Sequence, residues 1–364
     1  MIRWANLSGG IRVVRTYAER LQRRGHQVVV LSSLLRDGIP LRQKVTSLLL
    51  GRGWLKAKPE VSHFDGCSVD HRVLGRVRPA GDTDVPDAEI ILATYWKTAY
   101  LVRELSPTKG AKAILIQGYE VRDGKSDPLL EATWRMPIHK IVVSKWLLKL
   151  ARERFGDEVV SHVPNSVDLD QFNAVPRLKQ PMPTIGLMYS SSWFKGCRTS
   201  LAAVSRVAAK VPSLRLVCFG SERPGLGLRL PSYAEFHYQP SQERLKGLYA
   251  QCDVWLCGSN REGFSLPPLE AMACRCPVVC TRVGELIDFI EEGVNGYLVD
   301  VGDVGALADR VLRVLNAPKE KWQRMSEAAY RTTTRYTWDD ATDLLERALE
   351  LAIERDRRGD WKTI

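Results

Sequence analysis

The chain has 364 residues, 45% of them apolar, enough for two or three domains with real cores. No apolar run reaches the ~20 residues of a membrane span, and the opening MIRWANLSGG lacks a signal-peptide core, so a cytoplasmic protein is expected. The net charge is +11; Lys and Arg outnumber Asp and Glu 27 to 19 in residues 1–175 and 26 to 23 afterwards. That bias suits nucleic acid, anionic lipid or a phosphorylated substrate, and the lack of any helix-turn-helix, zinc-finger or RNA-binding signature sets nucleic acid aside.

Short β-branched runs alternate with helical patterns along the chain. A helix over 11–24 repeats Val13, Val14, Tyr17, Ala18 and Leu21 at helical spacing and ends at Gly25. The runs at 27–32, 89–94, 111–117 and 140–144 read as buried parallel strands, and 146–156 as a helix ending in glycine. The stretch 172–183, FNAVPRLKQPMP, carries three prolines and reads as a join. Beyond it, strands are predicted at 183–190, 214–221, 253–259 and 277–281, and helices at 197–210, 241–251, 267–274, 284–292 and 303–315. A long helix at 336–356 closes the pattern, with Thr337 or Asp339 placed to cap it. Two such βα arrays predict two doubly wound, Rossmann-like domains, 1–175 and 176–335, followed by a terminal helix, 336–364.

In open α/β sheets, ligands bind beyond the carboxyl ends of the strands, so the loops there are where chemistry is expected. Gly9 and Gly10 precede the first helix and permit close backbone approach to an anion; a Gly-Gly turn alone is a weak signal. The strand expected before them is short, which suggests a start upstream of Met1. In MYSSSWFKGCRTS (188–200), Lys195 precedes a helix and can reach a phosphate, although a solvated lysine is the commoner outcome. The segment REGFSLPPLEAMACRCPVV (261–279) holds two acids, Glu262 and Glu270, around a glycine turn and a Pro-Pro helix start. The backbone N–H groups of Phe264, Ser265 and Leu266 suit a diphosphate. Glu270, one turn further, suits a ribose diol, and Glu262 a sugar on the other side of the phosphates. Cys274, Cys276 and Cys280 cluster without metal-site spacing and read as buried thiols.

EGFSLPPLEAMACRCPVV resembles the E-x7-E motif of retaining glycosyltransferases of the GT-B fold, family 4 type (glycosyl transferases group 1). SGGIRVVRTYAERLQRRGHQVVVLS, VVSHVPNSVDLDQF, EEGVNGYLVDVGDVGALADRV and YTWDDATDLLERALELA resemble further blocks of that family, in order, over nearly the whole chain. The resemblance implies two domains facing across a cleft, with the last helix crossing back to the N-terminal one. It implies a nucleotide-diphosphate sugar as donor, a hydroxyl acceptor on a polysaccharide or lipid-linked glycan, retention of configuration, and neither metal nor cofactor. Carried over by position, Glu270 binds the ribose, Lys195 the diphosphate and Glu262 the donor sugar, with Gly10 near the diphosphate.

Three departures stand out. Ser190 occupies the place of the family's arginine, Gln117 that of its histidine, and Arg275 that of a glycine. The serine-rich loop and the missing histidine resemble a branch that includes rhamnosyltransferases, which points to a deoxysugar donor. An epimerase of the same fold and a non-catalytic nucleotide-sugar-binding module are the alternative readings. The DTD at 82–84 reads as a solvent-facing loop. Residues 39–58 form a basic amphipathic pattern suited to packing on their own domain or to peripheral contact with an anionic membrane.

Overall fold

The β-branched runs form parallel sheets in each of two units. The computed structural model describes residues 1–32, 61–74, 79–122 and 125–361, so the amphipathic segment expected at 39–58 lies outside the described residues. One unit comprises residues 1–164 with 341–364, the other 165–340. No helix among the described residues is long and apolar enough to cross a membrane.

The first unit runs through α1 (Gly9–Arg23), β1 (Val29–Ser32), β2 (Asp70–Val73), β3 (Ile90–Ala93), α2 (Trp96–Arg103), β4 (Ala111–Ile116), the hairpin of β5 (Val121–Arg122) and β6 (Lys125–Ser126), α3 (Pro128–Trp134), β7 (His139–Val142), α4 (Lys145–Phe155) and β8 (Ser161–His162). β1 pairs with β2, and β3, β4, β7 and β8 form a parallel sheet in that order. Residues 1–2 lie between the two. Ile2 bridges Ser32 in parallel, its N–H donates to the Leu31 carbonyl at 2.9 Å, and the Thr94 N–H donates to the Met1 carbonyl at 3.1 Å. The expected first strand is thus two residues long, and the loop with Gly9 and Gly10 leaves it where strand order reverses. α1 buries Val13, Tyr17 and Ala18, and Ile2, Ala18, Val30, Phe64 and Val69 form a local core.

The second unit runs through β9 (Thr184–Met188), α5 (Cys197–Ala208), β10 (Arg215–Gly220), β11 (Ala234–Tyr238), α6 (Gln242–Ala250), β12 (Val254–Cys257), α7 (Leu266–Ala273), β13 (Val278–Thr281), α8 (Leu286–Phe289), β14 (Gly296–Val299), α9 (Val304–Leu315) and α10 (Lys319–Thr333). Its sheet order is β11-β10-β9-β12-β13-β14, parallel throughout. α5 turns Ala203, Val204 and Val207 inward, and α9 turns Leu307, Val311 and Val314; these side chains join one core beneath β9, β10 and β12. The stretch 174–184 is fastened to this unit. The Gln180 and Thr184 N–H groups donate to the buried Asp253 carboxylate at 2.7 and 2.9 Å, and the Arg177 guanidinium lies 4.8 Å from the Trp322 ring.

α11 (Trp338–Arg358) closes the chain. Of the two caps expected for it, Thr337 serves: its hydroxyl accepts from the Asp340 N–H at 3.2 Å, and the Asp340 carboxylate accepts from the Thr337 N–H at 2.7 Å. From residue 341 it belongs to the first unit, where Asp343 pairs with Arg24 at 2.6 Å, Glu346 with His26 at 2.9 Å, and Arg355 donates to His139 Nδ1 at 3.1 Å.

Some elements were not expected from sequence. β2 and β11 are edge strands with charged, half-exposed residues. α10 is polar overall and docks through Trp322, Met325 and Ala329. The helix expected at 284–292 shrinks to α8, because Gly284 takes φ +63 before it and Ile290 is extended after it.

Candidate active site at the switch point of the second sheet

β9 and β12 are neighbours, with Ile185 opposite Val254 and Gly186 opposite Trp255. Their onward connections leave in opposite directions, β9 towards β10 and β12 towards β13. The loops at their carboxyl ends are 189–196 and 258–265, and the carboxyl end of such a switch point is where open α/β sheets bind ligands. A Cβ on Gly186 would lie 2.4 Å from the Trp255 ring, so this glycine lets the indole lie across β9.

The two loops are stitched into one piece. Gly196 has φ +55, and a Cβ there would lie 1.8 Å from the Gly258 carbonyl oxygen. The Asn260 and Arg261 N–H groups donate to the Phe194 carbonyl at 2.9 and 3.2 Å, and Asn260 Nδ2 donates to the Trp193 carbonyl at 2.8 Å. On this support Lys195 Nζ lies 2.9 Å from both carboxylate oxygens of Glu262, and the Ser259 hydroxyl donates to Oε1 at 2.8 Å. The Glu262 side chain is 7% exposed and that of Lys195 22%. A buried carboxylate needs such partners, and the pair leaves the lysine within reach of solvent.

α7 begins at Ser265, which holds φ +83, a left-handed backbone that is unusual outside glycine. Pro267 and Pro268 have no N–H, so the donors at this helix start come from the residues just before them. Phe264 has its side chain turned into the core. Its ring is buried against Phe289, with centroids 5.6 Å apart and near-perpendicular planes, and its carbonyl accepts from the Glu285 N–H at 3.4 Å. Leu266 and Ser265 are likewise buried. One turn on, Glu270 is 3% exposed and accepts a 2.6 Å hydrogen bond from the Tyr249 hydroxyl. A carboxylate buried in an otherwise apolar helix needs such a donor.

Ser190 is engaged differently from a free phosphate donor. Its hydroxyl donates to Glu222 Oε1 at 3.1 Å, while the Ser191 N–H and hydroxyl donate to the same carboxylate, each at 2.6 Å. Burial works to raise the Glu222 carboxyl, but the bonds from Ser191 and Ser190 outweigh it and hold its pKa below the ordinary value. Sequence reasoning missed Glu222. The only signal for it was the run of three hydroxyls at 190–192, which call for an acceptor.

The remaining candidates lie in the first unit and meet one another: Gln117 Nε2 donates to the Gly10 carbonyl at 3.2 Å. Gly9 opens α1 beside them. The structure thus joins Lys195 with Glu262 and Gly10 with Gln117, and gives Glu270 a separate partner in Tyr249. Asp84 and Asp82 at 82–84 accept from the N–H groups of Gly81 and Ser106, both at 2.9 Å. Cys274, Cys276 and Cys280 are fully buried among core residues. Among the described residues no group of three or more His, Cys, Asp or Glu is placed to hold a metal ion.

Arg275, in place of a glycine, holds φ +60 after α7. Its Nε donates to the Ala174 carbonyl at 2.8 Å, its guanidinium pairs with Glu327 and lies 4.1 Å from the Tyr330 ring. The contacts offset the backbone strain that a glycine would not have.

Residues 183–317 match the family model described as Glycosyl transferases group 1. D-inositol 3-phosphate glycosyltransferase of Mycobacterium avium (strain 104) is 34% identical over 172 residues, which are 43% of this chain and 40% of that protein. The chain thus spans less than half the length of the curated relatives it matches. Sucrose-phosphate synthase from Thermosynechococcus elongatus superposes with a TM-score of 0.71 at 17% identity, covering 96% of this chain and 95% of that one. Anabaena HepE in complex with UDP superposes with a TM-score of 0.67 at 16% identity, covering 96% and 98%. At these identities the likeness to solved structures is one of fold. The chain therefore has the GT-B fold, and its residues 183–317 are similar to the glycosyl transferases group 1 family.

Proposed function

We propose that the chain transfers a sugar from a nucleotide-diphosphate donor to a hydroxyl of a glycan or lipid-linked acceptor. The observation that carries this reading is the Lys195–Glu262 pair on the two loops at the switch point of the second sheet, with the start of α7 and Glu270 beyond it. In this reading Glu270 takes the ribose hydroxyls, and Lys195 with the helix start takes the diphosphate. Glu262, on the far side of the lysine, takes the donor sugar.

As the anomeric C–O bond breaks, its electron pair passes to the diphosphate, the acceptor oxygen bonds to the anomeric carbon, and the acceptor's hydroxyl proton passes to the diphosphate oxygen so released. An ammonium and oriented N–H groups already in place stabilise that charge, which supports a transfer that needs no metal. Retention of configuration is proposed from the same family likeness. The curated relative, which acts on an inositol phosphate by its name, and HepE, solved with UDP, support a nucleotide-sugar donor.

A second reading has one observation in its favour. Ser190 stands where the resemblance places an arginine, and it is bonded to Glu222, so the site has less positive charge than the family pattern. A nucleotide-sugar-binding module without turnover would tolerate that. A thermal-shift screen of UDP-, GDP-, ADP- and dTDP-sugars identifies the donor, and donor hydrolysis without acceptor then separates the two readings. No stabilisation by any of them removes the first.

A further inference from the structure

Trp193 and Phe194 are 63% and 45% exposed, whereas Trp134, Trp255 and Trp322 are buried to 1% or less. The two open rings are consecutive in sequence and immediately precede Lys195. Their backbone carbonyls are the ones bonded by Asn260 and Arg261, the two residues that precede Glu262. The Lys195 ammonium lies 5.4 Å from the centroid of the Phe194 ring. Adjacent large apolar side chains on a surface mark a contact site more often than a packing defect, and here the loop that carries them is fixed to the site residues.

The chemistry of the rings narrows the partner. An indole face is electron-rich and attracts polarised C–H bonds. A pyranose presents such bonds on one face and keeps its hydroxyls at the rim, where water or polar groups meet them. The donor's diphosphate, ribose and sugar are assigned to Lys195, Glu270 and Glu262, which leaves these solvent-facing rings to the other substrate, the acceptor. We propose that Trp193, with Phe194 beside it, is a stacking platform for a pyranose ring of a carbohydrate acceptor. The inference rests on the reading of the site as a sugar-transfer site and adds the residue that recognises the acceptor.

The test uses the full chain labelled with 15N-tryptophan in the presence of UDP. Trp193→Phe assigns the Trp193 indole resonance by its disappearance. Soluble tetrasaccharides of glucose, galactose, mannose, rhamnose and N-acetylglucosamine are then titrated in turn. At least one is expected to shift that resonance, and Trp193→Ala to weaken its binding about tenfold, the upper range for an aromatic contact. Trp193→Phe should restore most of the affinity, with UDP binding the same in all three proteins. The inference is overturned by UDP binding with no tetrasaccharide moving the resonance, or by equal sugar affinity in Trp193→Ala. A resonance that responds to phosphatidylglycerol vesicles and to none of the sugars also overturns it, and assigns the rings to a lipid surface. If no nucleoside diphosphate binds at all, the reading of the site itself falls, and this inference with it.

Discussion

Replacing Lys195 by methionine removes the ammonium and keeps the aliphatic stem. It strands the Glu262 carboxylate, 7% exposed, with the Ser259 hydroxyl as a remaining donor. Breaking a fully buried ion pair costs about 3–5 kcal/mol. Lys195 is 22% exposed, so water can reach the vacated side, and about 2–3 kcal/mol is expected. Glu262→Gln combined with Lys195→Met removes both charges, and the double variant should recover more than half of that loss. Urea midpoints of the parent, Lys195→Met, Glu262→Gln and the double variant measure the coupling. The same Lys195→Met variant should lose about 1.5–3 kcal/mol of UDP affinity, roughly 10- to 150-fold, with uridine binding unchanged by calorimetry. If a different base proves to be the donor's, its nucleoside and diphosphate replace this pair. Lys195→Met as stable as the parent, or weakened equally towards nucleoside and diphosphate, would refute the assignment of Lys195 as both partner of Glu262 and diphosphate ligand.

Glu270→Ala should weaken nucleotide binding by about 1.5–3 kcal/mol, whereas Glu262→Gln should reduce turnover more than affinity; equal loss of both properties in both variants argues against separate roles. Burial first, and then the nearby Arg355 cation, hold the His139 pKa down at about 4, against an ordinary 6.5. The folded form therefore keeps this ring neutral while the unfolded chain takes up a proton below pH 6.5. Stability should be undiminished above that value, fall as the pH drops towards 4 and level off below, with about 3 kcal/mol at stake. The stability advantage over His139→Gln should shrink over this window in urea titrations. At Arg275, Ala keeps the left-handed backbone and loses the guanidinium contacts, while Gly loses the same contacts without strain. Arg275→Gly should therefore unfold at higher urea than Arg275→Ala, by about 1 kcal/mol.

The parallel strands of the second sheet were legible because runs such as VWLC and VVCT are buried on both faces and read as continuous apolar segments. Both switch-point loops could be located for the same reason, since each follows such a run. The acids at 262 and 270 were legible as an anomaly, two carboxylates in an apolar, glycine- and proline-punctuated segment. What could not be read was pairing across the fold. Tyr249 reaches Glu270 from a different helix, and Glu222 reaches Ser190 and Ser191 from the loop after β10. Gln117 was expected for its position in a family pattern, yet its bond to the Gly10 carbonyl spans 107 residues. Edge strands such as β2 and β11 escaped because each has a sheet neighbour on one side only among the described residues, so their side chains need not be apolar.

The charges explain why the loop geometry matters so much for the proposed chemistry. Lys195 is already neutralised by Glu262 at 2.9 Å, and the Ser190 and Ser191 hydroxyls are bonded to another carboxylate, that of Glu222. A donor diphosphate must therefore share the ammonium with Glu262. It also needs the fixed N–H dipoles of the segment leading into α7, which cost no reorganisation when charge develops. Such dipoles are effective only if held still. Ser265 holds φ +83, and Gly284 at φ +63 is packed so closely that an added Cβ would lie 2.9 Å from the Phe264 carbonyl oxygen and 3.0 Å from Glu262 Cβ. In the proposed function, this close packing stands in for the cation that the resemblance places at Ser190. Its consequence is specific: Gly284→Ala changes no charge, but its Cβ would press on the Phe264 carbonyl oxygen at 2.9 Å and on Glu262 Cβ at 3.0 Å, and it should lower turnover in a donor-hydrolysis assay.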